Sequence, residues 1–354
     1  MKNFVIWTIF LISSIHHHIV SAIVGDGISG HLKGEPLADF LNNHQSLWEA
    51  KYNEENEVRM KQLMNLKYVS EDPYMNISQT MLANVEMEIP KEFDARKKWP
   101  HCKSIGKIQD QSRCGSCWAV SAAEVMTDRL CIASNGTFQK QISALDVLSC
   151  CMDAGSSGCD GGWTSAAFRC FIRDGVVTGG TYKNKAGCKP YPFRPCSTRN
   201  STRYVRCNTF HDYSTPPCQR KCSAFTELGR SYRESRFFGI EESLYKVKGE
   251  RAIQKELMTN GPLTLSYVVY EDFYYYDGGV YKHIYGFPQG GHAVKVIGWG
   301  EAPDYRGTTV PYWLIANSWN DEWGEQGFFR IIRGINDCGI EARGAAALAD
   351  VSRL

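Results

Sequence analysis

Cysteine placement constrains this 354-residue chain more than any other feature: residues 23–88 contain none, and all 14 follow. So many thiols in one chain point to an oxidising compartment, where they pair as disulfides. The N-terminus agrees. Met1–Ala22 carries Lys2, an apolar run from Phe4 to Ile15 and a small-residue end, Val20-Ser21-Ala22, the pattern of a cleaved secretory signal. That run is too short to span a bilayer and is broken by His16, His17 and His18; no other apolar run is long enough to cross. Asn76-Ile77-Ser78, Asn135-Gly136-Thr137 and Asn200-Ser201-Thr202 are candidate glycosylation sites for a chain on this route. With a net charge of +2 and 43% hydrophobic residues the chain reads as globular, without the footprint of a nucleic-acid binder.

Residues 23–88 hold 11 Asp/Glu against 5 Lys/Arg, which leaves residues 89–354 at +7. An acidic leader on a basic body reads as a propeptide, docked by charge at neutral pH and loosened as its carboxylates protonate. Leu37, Phe40, Leu41, Leu47 and Trp48 add an apolar stripe that a solvated linker would not need.

From Ile89 onward the chain divides in two. A left lobe, mainly 100–185, is helix-prone: Ala122, Val125, Met126 and Leu130 recur at helical spacing, and Ser143 opens a second helix as its cap. A right lobe, mainly 223–340, reads as strands at Val280-Tyr281, Ala293–Ile297, Tyr312–Ala316 and Phe328–Ile332. Between them Gly187–Cys222 packs five cysteines and five prolines, a surface loop that can hold shape only by cross-links.

The chemistry centres on "QSRCGSCWAVSAAE", residues 111–124. Cys117 sits where a helix begins, and the positive end of the helix dipole favours its thiolate. His292, in "GGHAVKVIGWG", supplies a base at the start of an alternating strand, with two glycines clearing space before it. Asn317 offers an uncharged amide to orient the ring, with the Trp319 indole beside it as a shield. The Gln111 amide and the Cys117 backbone N–H can form an oxyanion hole. No metal site or cofactor is implied.

"CGSCW" is the signature of papain and the cathepsins. With "CDGGW", "GGHAVKVIGWG" and "PYWLIANSWNDEWGEQGFFRI", the whole of residues 89–354 resembles a cathepsin B-like cysteine protease of helminth type. The resemblance implies an α+β, papain-like two-domain fold behind an N-terminal propeptide, with a helical left domain and a β-barrel-like right domain. It makes Cys117 the nucleophile, His292 the acid/base, Asn317 the ring-orienting group and Gln111 the oxyanion donor. Gly161 and Gly162 would pair with an extended substrate, and Trp319 would line the leaving-group side. Ser266, Ala293 and Arg343 would border the pocket for the second substrate residue. The family's disulfides imply Cys102–Cys131, Cys114–Cys159, Cys150–Cys218, Cys188–Cys222 and Cys196–Cys207. Cys151, Cys170 and Cys338 remain over, with a Cys151–Cys170 bridge and free thiols both open.

Three departures bear on activity. Cathepsin B grips a substrate's terminal carboxylate with a His-His pair in its inserted loop; here Thr198 and Arg199 stand in those places. Arg199 binds a carboxylate, pairs with Asp110 or faces solvent. Endopeptidase activity is therefore expected, with peptidyl-dipeptidase activity weak or altered. Arg343 occupies the place of a pocket-floor glutamate, where a cation repels substrate arginine unless it swings out to solvent. Ser112 and Arg113 replace Gly-Ser before Cys114 with the spacing kept, so catalysis should survive. Proteins and peptides are the expected substrates, with the propeptide and cystatin-type proteins as inhibitors. The mature enzyme is expected to be a monomer in a lysosome-like compartment or outside the cell. The rival reading is a catalytically silent relative that binds peptides or inhibitors, for which damage among the four catalytic residues would be required.

Overall fold

The computed structural model describes residues 31–55, 62–70, 72, 77–152, 155–209, 211–222 and 231–354; Met1–Ala22 and Asn76 lie outside the described residues. Among the described residues the longer helices are α1 (Gly34–His44), α2 (Cys117–Ala133), α3 (Ala144–Cys150), α4 (Thr164–Arg173) and α5 (Glu250–Asn260). Every residue of α2 from Cys117 to Cys131 is buried. A helix covered on all sides is a core rod, not a surface amphipath; Ala119, Ala122 and Ala123 let its neighbours approach. α3 begins where Ser143 Oγ accepts the Asp146 N–H at 3.0 Å. Trp118, Val125 and Met126 of α2 pack with Val147, Phe168 and Phe171 as the core of the helical lobe.

The second lobe is a nine-stranded sheet of β1 (Trp48–Ala50), β2 (Phe93–Asp94), β3 (Tyr245–Val247), β4 (Leu263–Tyr270), β5 (Tyr276–Tyr281), β6 (Pro288–Pro303), β7 (Thr309–Ala316), β8 (Phe328–Ile332) and β9 (Gly344–Ala346). Its order is β1-β5-β8-β7-β6-β4-β9-β3, with β2 added to β6. The lobes exchange straps: Phe93 stacks on Trp299 at 4.9 Å in the sheet lobe, while Ala345, Ala347 and Ala349 close the helical core.

All five disulfides implied by the family are present, and Cys151–Cys170 makes a sixth; Cys117 and Cys338 are free. The insertion is anchored as well as cross-linked. Asp110 accepts the Cys196 N–H at 3.2 Å, and Arg203 forks onto Asp321 and Glu322. Arg199 forms an ion pair with Asp277, a partner that sequence reasoning did not consider. Ser112, at φ 56°, hydrogen-bonds through its hydroxyl to the Arg194 carbonyl. Arg113 holds Asp212 and the Cys207 carbonyl. The Ser-Arg replacement thus ties the loop before Cys114 to the insertion.

The leader docks along the apolar stripe that the sequence marked, with ion pairs beside it. Leu37, Leu41 and Trp48 are almost wholly buried in a cluster with Phe273, Tyr274, Tyr275 and Tyr281. β1 also extends the sheet, pairing Trp48 with Gly279. At Gly279, φ is +96° and a Cβ would meet the Leu47 carbonyl oxygen at 2.6 Å, so glycine is required there. Glu55–Arg206 adds an ion pair to the insertion. Because truncating a buried Trp costs about 3 kcal/mol, Trp48→Ala should strip hydrogen-exchange protection from residues 34–50 of the uncleaved chain and leave the sheet beyond β5 protected; unchanged exchange across the leader would contradict apolar docking.

Candidate active site

Cys117 opens α2, and the preceding loop is fixed by the Cys114–Cys159 disulfide and by Gly115 N–H donating to the Cys159 carbonyl at 2.7 Å. Ser116, at the helix N-cap, does not cap it; its hydroxyl bonds Tyr191 Oη at 2.7 Å, and Tyr191 Oη in turn donates to the Gln111 carbonyl. The helix therefore presents uncapped N–H groups near the sulfur.

His292 enters from the other lobe, fully buried on β6. Its Nε2 lies 2.8 Å from Asn317 Oδ1, which also accepts the Ser318 N–H at 2.8 Å. An amide oxygen carries no hydrogen and can only accept, so Nε2 carries the proton and Nδ1 is the basic nitrogen. Trp319 lies against this contact, its ring 4.9 Å from the imidazole, and is itself wholly buried. Tyr267 packs on His292 edge-on at 5.8 Å. Cys117 shares one buried cluster with Ala293, the residue after His292, and the Ala293 N–H is among the groups that lower its pKa. Nucleophile and base candidates from opposite lobes thus meet at one seam.

Gln111 lies at the same place. Its Oε1 accepts the Ser318 hydroxyl at 2.6 Å, and its Nε2 donates to the Cys114 carbonyl at 2.9 Å. Nε2 also donates to the Gln62 carbonyl of the leader at 2.7 Å. A leader carbonyl therefore sits against the amide read as the oxyanion donor. From there Met64 pairs with Gly291 through two backbone hydrogen bonds, of 2.9 and 2.8 Å. Gly161 and Gly162 make no ladder with the leader among the hydrogen bonds described, but both need to lack a side chain. A Cβ on Gly161 would meet the Tyr68 ring at 2.6 Å, and one on Gly162 the Trp118 ring at 2.5 Å.

Ser266 and Ala293 are directly opposite in the β4–β6 ladder, both buried, and Ser266 N–H donates to the Arg343 carbonyl. Arg343 is half-buried and turns back on its own segment, Nη1 donating to the Gly339 carbonyl at 3.2 Å. Burial lowers its pKa against a smaller opposing effect of Tyr270. Asn135 and Asn200 are both exposed.

Sequence reasoning missed Gly291 as a pairing partner, Ser318 as the residue that orients Gln111, and Asp277. The two glycines before His292 signalled a close approach; nothing local marked Ser318 or Asp277. The expected low thiol pKa is also absent. Burial pushes Cys117 up to about 12, and the N–H groups of Ala293, Trp118 and Cys117 itself only partly offset this. The leader residues Met64, Tyr68 and Val69 share the cluster that encloses the sulfur. Helix-end stabilisation is outweighed by loss of water.

A helical lobe and a sheet lobe meeting at a Cys–His–Asn seam define a cysteine peptidase fold, and the pattern of the papain family cysteine proteases matches residues 89–348. This chain belongs to that family. It is 48% identical over 330 residues to cathepsin B-like cysteine proteinase 6 of Caenorhabditis elegans, covering 90% of this chain and 83% of the relative. It is 46% identical to cathepsin B-like cysteine proteinase 1 of Ostertagia ostertagi, with 89% of each covered. Among solved structures it is similar to procathepsin B S9 from Trypanosoma congolense, with a TM-score of 0.72, 32% identity, and 89% and 98% of the two chains covered. The protein is a cathepsin B-like cysteine peptidase made as a zymogen.

With the leader in place, the thiol should stay protonated across the range from acid to weakly alkaline pH. Alkylation of Cys117 by iodoacetamide is expected to be negligible in the full chain below pH ~9 and rapid at pH ~6 once residues 23–88 are removed. Equal rates in the two forms would show that the leader does not set the thiol's ionisation.

Proposed function

We propose that Cys117 is the nucleophile, His292 its proton-transfer partner, Asn317 the group that fixes the imidazole, and Gln111 with the Cys117 N–H the oxyanion site. The observation that carries this reading is that Asn317 Oδ1 holds His292 Nε2 while Cys117 and Ala293, the residue after His292, share one buried cluster. In this scheme Nδ1 takes the thiol proton when the leader leaves and water returns. The thiolate attacks the substrate carbonyl, and the developing oxyanion meets the Gln111 amide, already aimed by Ser318. The imidazolium then protonates the leaving amine. Water, deprotonated by His292, opens the thioester and restores the thiol. Trp319 keeps solvent from the ring contact, while Gly161 and Gly162 leave room for a peptide backbone. Labelling of the leader-free enzyme by an epoxide thiol inhibitor should vanish on Cys117→Ala; an unlabelled parent enzyme would instead favour the silent, peptide-binding relative.

The mature enzyme is proposed to act mainly within chains. The inserted loop lacks the His-His pair, and the Arg199 guanidinium is engaged by Asp277, so neither is a ready grip for a terminal carboxylate. Arg343 remains at the pocket formed with Ser266 and Ala293, and repels a cationic second substrate residue. A panel of reporter peptides checks both statements. Phe-Arg should be cut at least about ten-fold faster than Arg-Arg, the cost of about 1.4 kcal/mol of repulsion, and release of C-terminal dipeptides should trail internal cleavage. Equal rates on the two reporters, or dominant dipeptide release, would reverse the respective assignment.

The processing boundary is proposed near residue 88. Six disulfides favour a secretory route ending in a lysosome-like or extracellular space, with glycans at the exposed Asn135 and Asn200. Proteins, the released propeptide and cystatin-type inhibitors are the proposed partners of a monomer. Mass spectrometry of the secreted product checks the boundary and the glycans; an N-terminus far from residue 89 would overturn the first. Light scattering would expose a stable dimer, and cystatin titration a lack of inhibition.

A further inference from the structure

A buried ionic cluster straddles the seam below the catalytic groups. Glu124 and Asp128 project from α2, the helix that Cys117 opens, and Lys295 from β6, which carries His292. Lys295 Nζ lies 3.0 Å from Asp128 Oδ2 and donates to the Ser104 carbonyl at 3.4 Å. Both side chains are wholly buried, and Glu124 is 5% exposed. Glu124 Oε1 has no hydrogen-bond partner among the described residues. Glu124 and Asp128 face a cavity of about 80 Å³ that Ser104 and Gln109 also line, with the exposed Lys103, Lys107 and Lys140 at its rim. Arg129, the next residue after Asp128, is turned to Glu256 at 3.0 Å.

Two carboxyls and one ammonium cannot all be charged here without stranding an anion away from water. One proton balances the set, and it rests on Glu124 because Asp128 holds the ammonium directly. We propose that Glu124 is a positioning residue that keeps the Cys117 helix and the His292 strand docked in acid, and that its ionisation loosens this seam toward neutral pH. Burial pushes Glu124 up to about 7; Lys295 opposes this, Asp128 adds to it, and the Gln109 hydrogen bond opposes. Burial also raises Asp128, against Lys295, Ser104 and Arg129.

An unfolded chain releases this proton near 4.5, the ordinary value, while the folded chain keeps it until about 7. Between those values the folded state binds the extra proton, so the stabilisation is complete below the lower value and is lost as pH rises to the upper one. Peptidase activity is thereby biased toward acid by a group that touches neither substrate nor sulfur.

The test uses Glu124→Gln in two forms of the protein. In the full chain carrying Cys117→Ala to prevent self-cleavage, the melting temperature of the Gln variant relative to its parent should climb from pH 5 to 7 and level off above. In the leader-free enzyme with Cys117 intact, the ratio of kcat/KM at pH 7 to that at pH 5 should rise roughly three- to ten-fold. Should Glu124→Gln fail to fold, Asp128→Asn gives a second route. It leaves Glu124 as the counter-ion of Lys295, so the carboxyl ionises already in acid and the pH slope also flattens. Melting curves that keep the parent's slope in whichever variant folds would overturn the proposal. The melting measurement does not depend on the peptidase assignment, so loss of that assignment would appear separately as absent turnover.

Discussion

The structure depends on the lateral contact between α2 and β6. A helix dipole can favour a thiolate and a strand can present an imidazole, but neither does chemistry until the two side chains share a proton. That requires two separate hydrophobic cores to meet within hydrogen-bond tolerance. The seam is stitched at several heights: Gln111 N–H donates to the Ser318 carbonyl, Asp110 bridges to Trp319, and Lys295 reaches Asp128. The strap exchange between lobes limits sliding further, because each core includes chain from the far end of the other.

Inhibition uses the same seam. The leader sets a carbonyl against the Gln111 amide, pairs with Gly291 and dries the Cys117 sulfur, so it covers the groove and keeps the thiol protonated together. Its hold on the body is shared between Trp48 and the α1 leucines along the sheet and Met64, Tyr68 and Val69 at the seam.

Much of this was legible in the chain. The α2 periodicity, the Ser143 cap and the four glycine-bounded strands lie at or inside elements of the structure, because local hydrophobic spacing decides them. Cysteine count and the leader's lack of cysteine announced the division of labour. What could not be read was set by distant partners. Arg199 meets Asp277, a residue of β5 far along the chain, and Cys151 meets Cys170 because α3 and α4 both pack against α2. The thiol's raised pKa was hidden for a related reason. Helix position is a local property, whereas desolvation depends on Met64, Tyr68 and Val69, which no pattern around Cys117 reveals.

Departure of the leader also removes β1 from the end of the sheet, leaving β5 with unsatisfied backbone groups open to another chain. Such rims invite intermolecular stacking in crowded, proteolytic surroundings. Gly278 and Gly279 lie on that rim, and the positive φ of Gly279 turns its peptide out of the regular pleat. The irregularity that admits Trp48 lies on the edge that β1 covers.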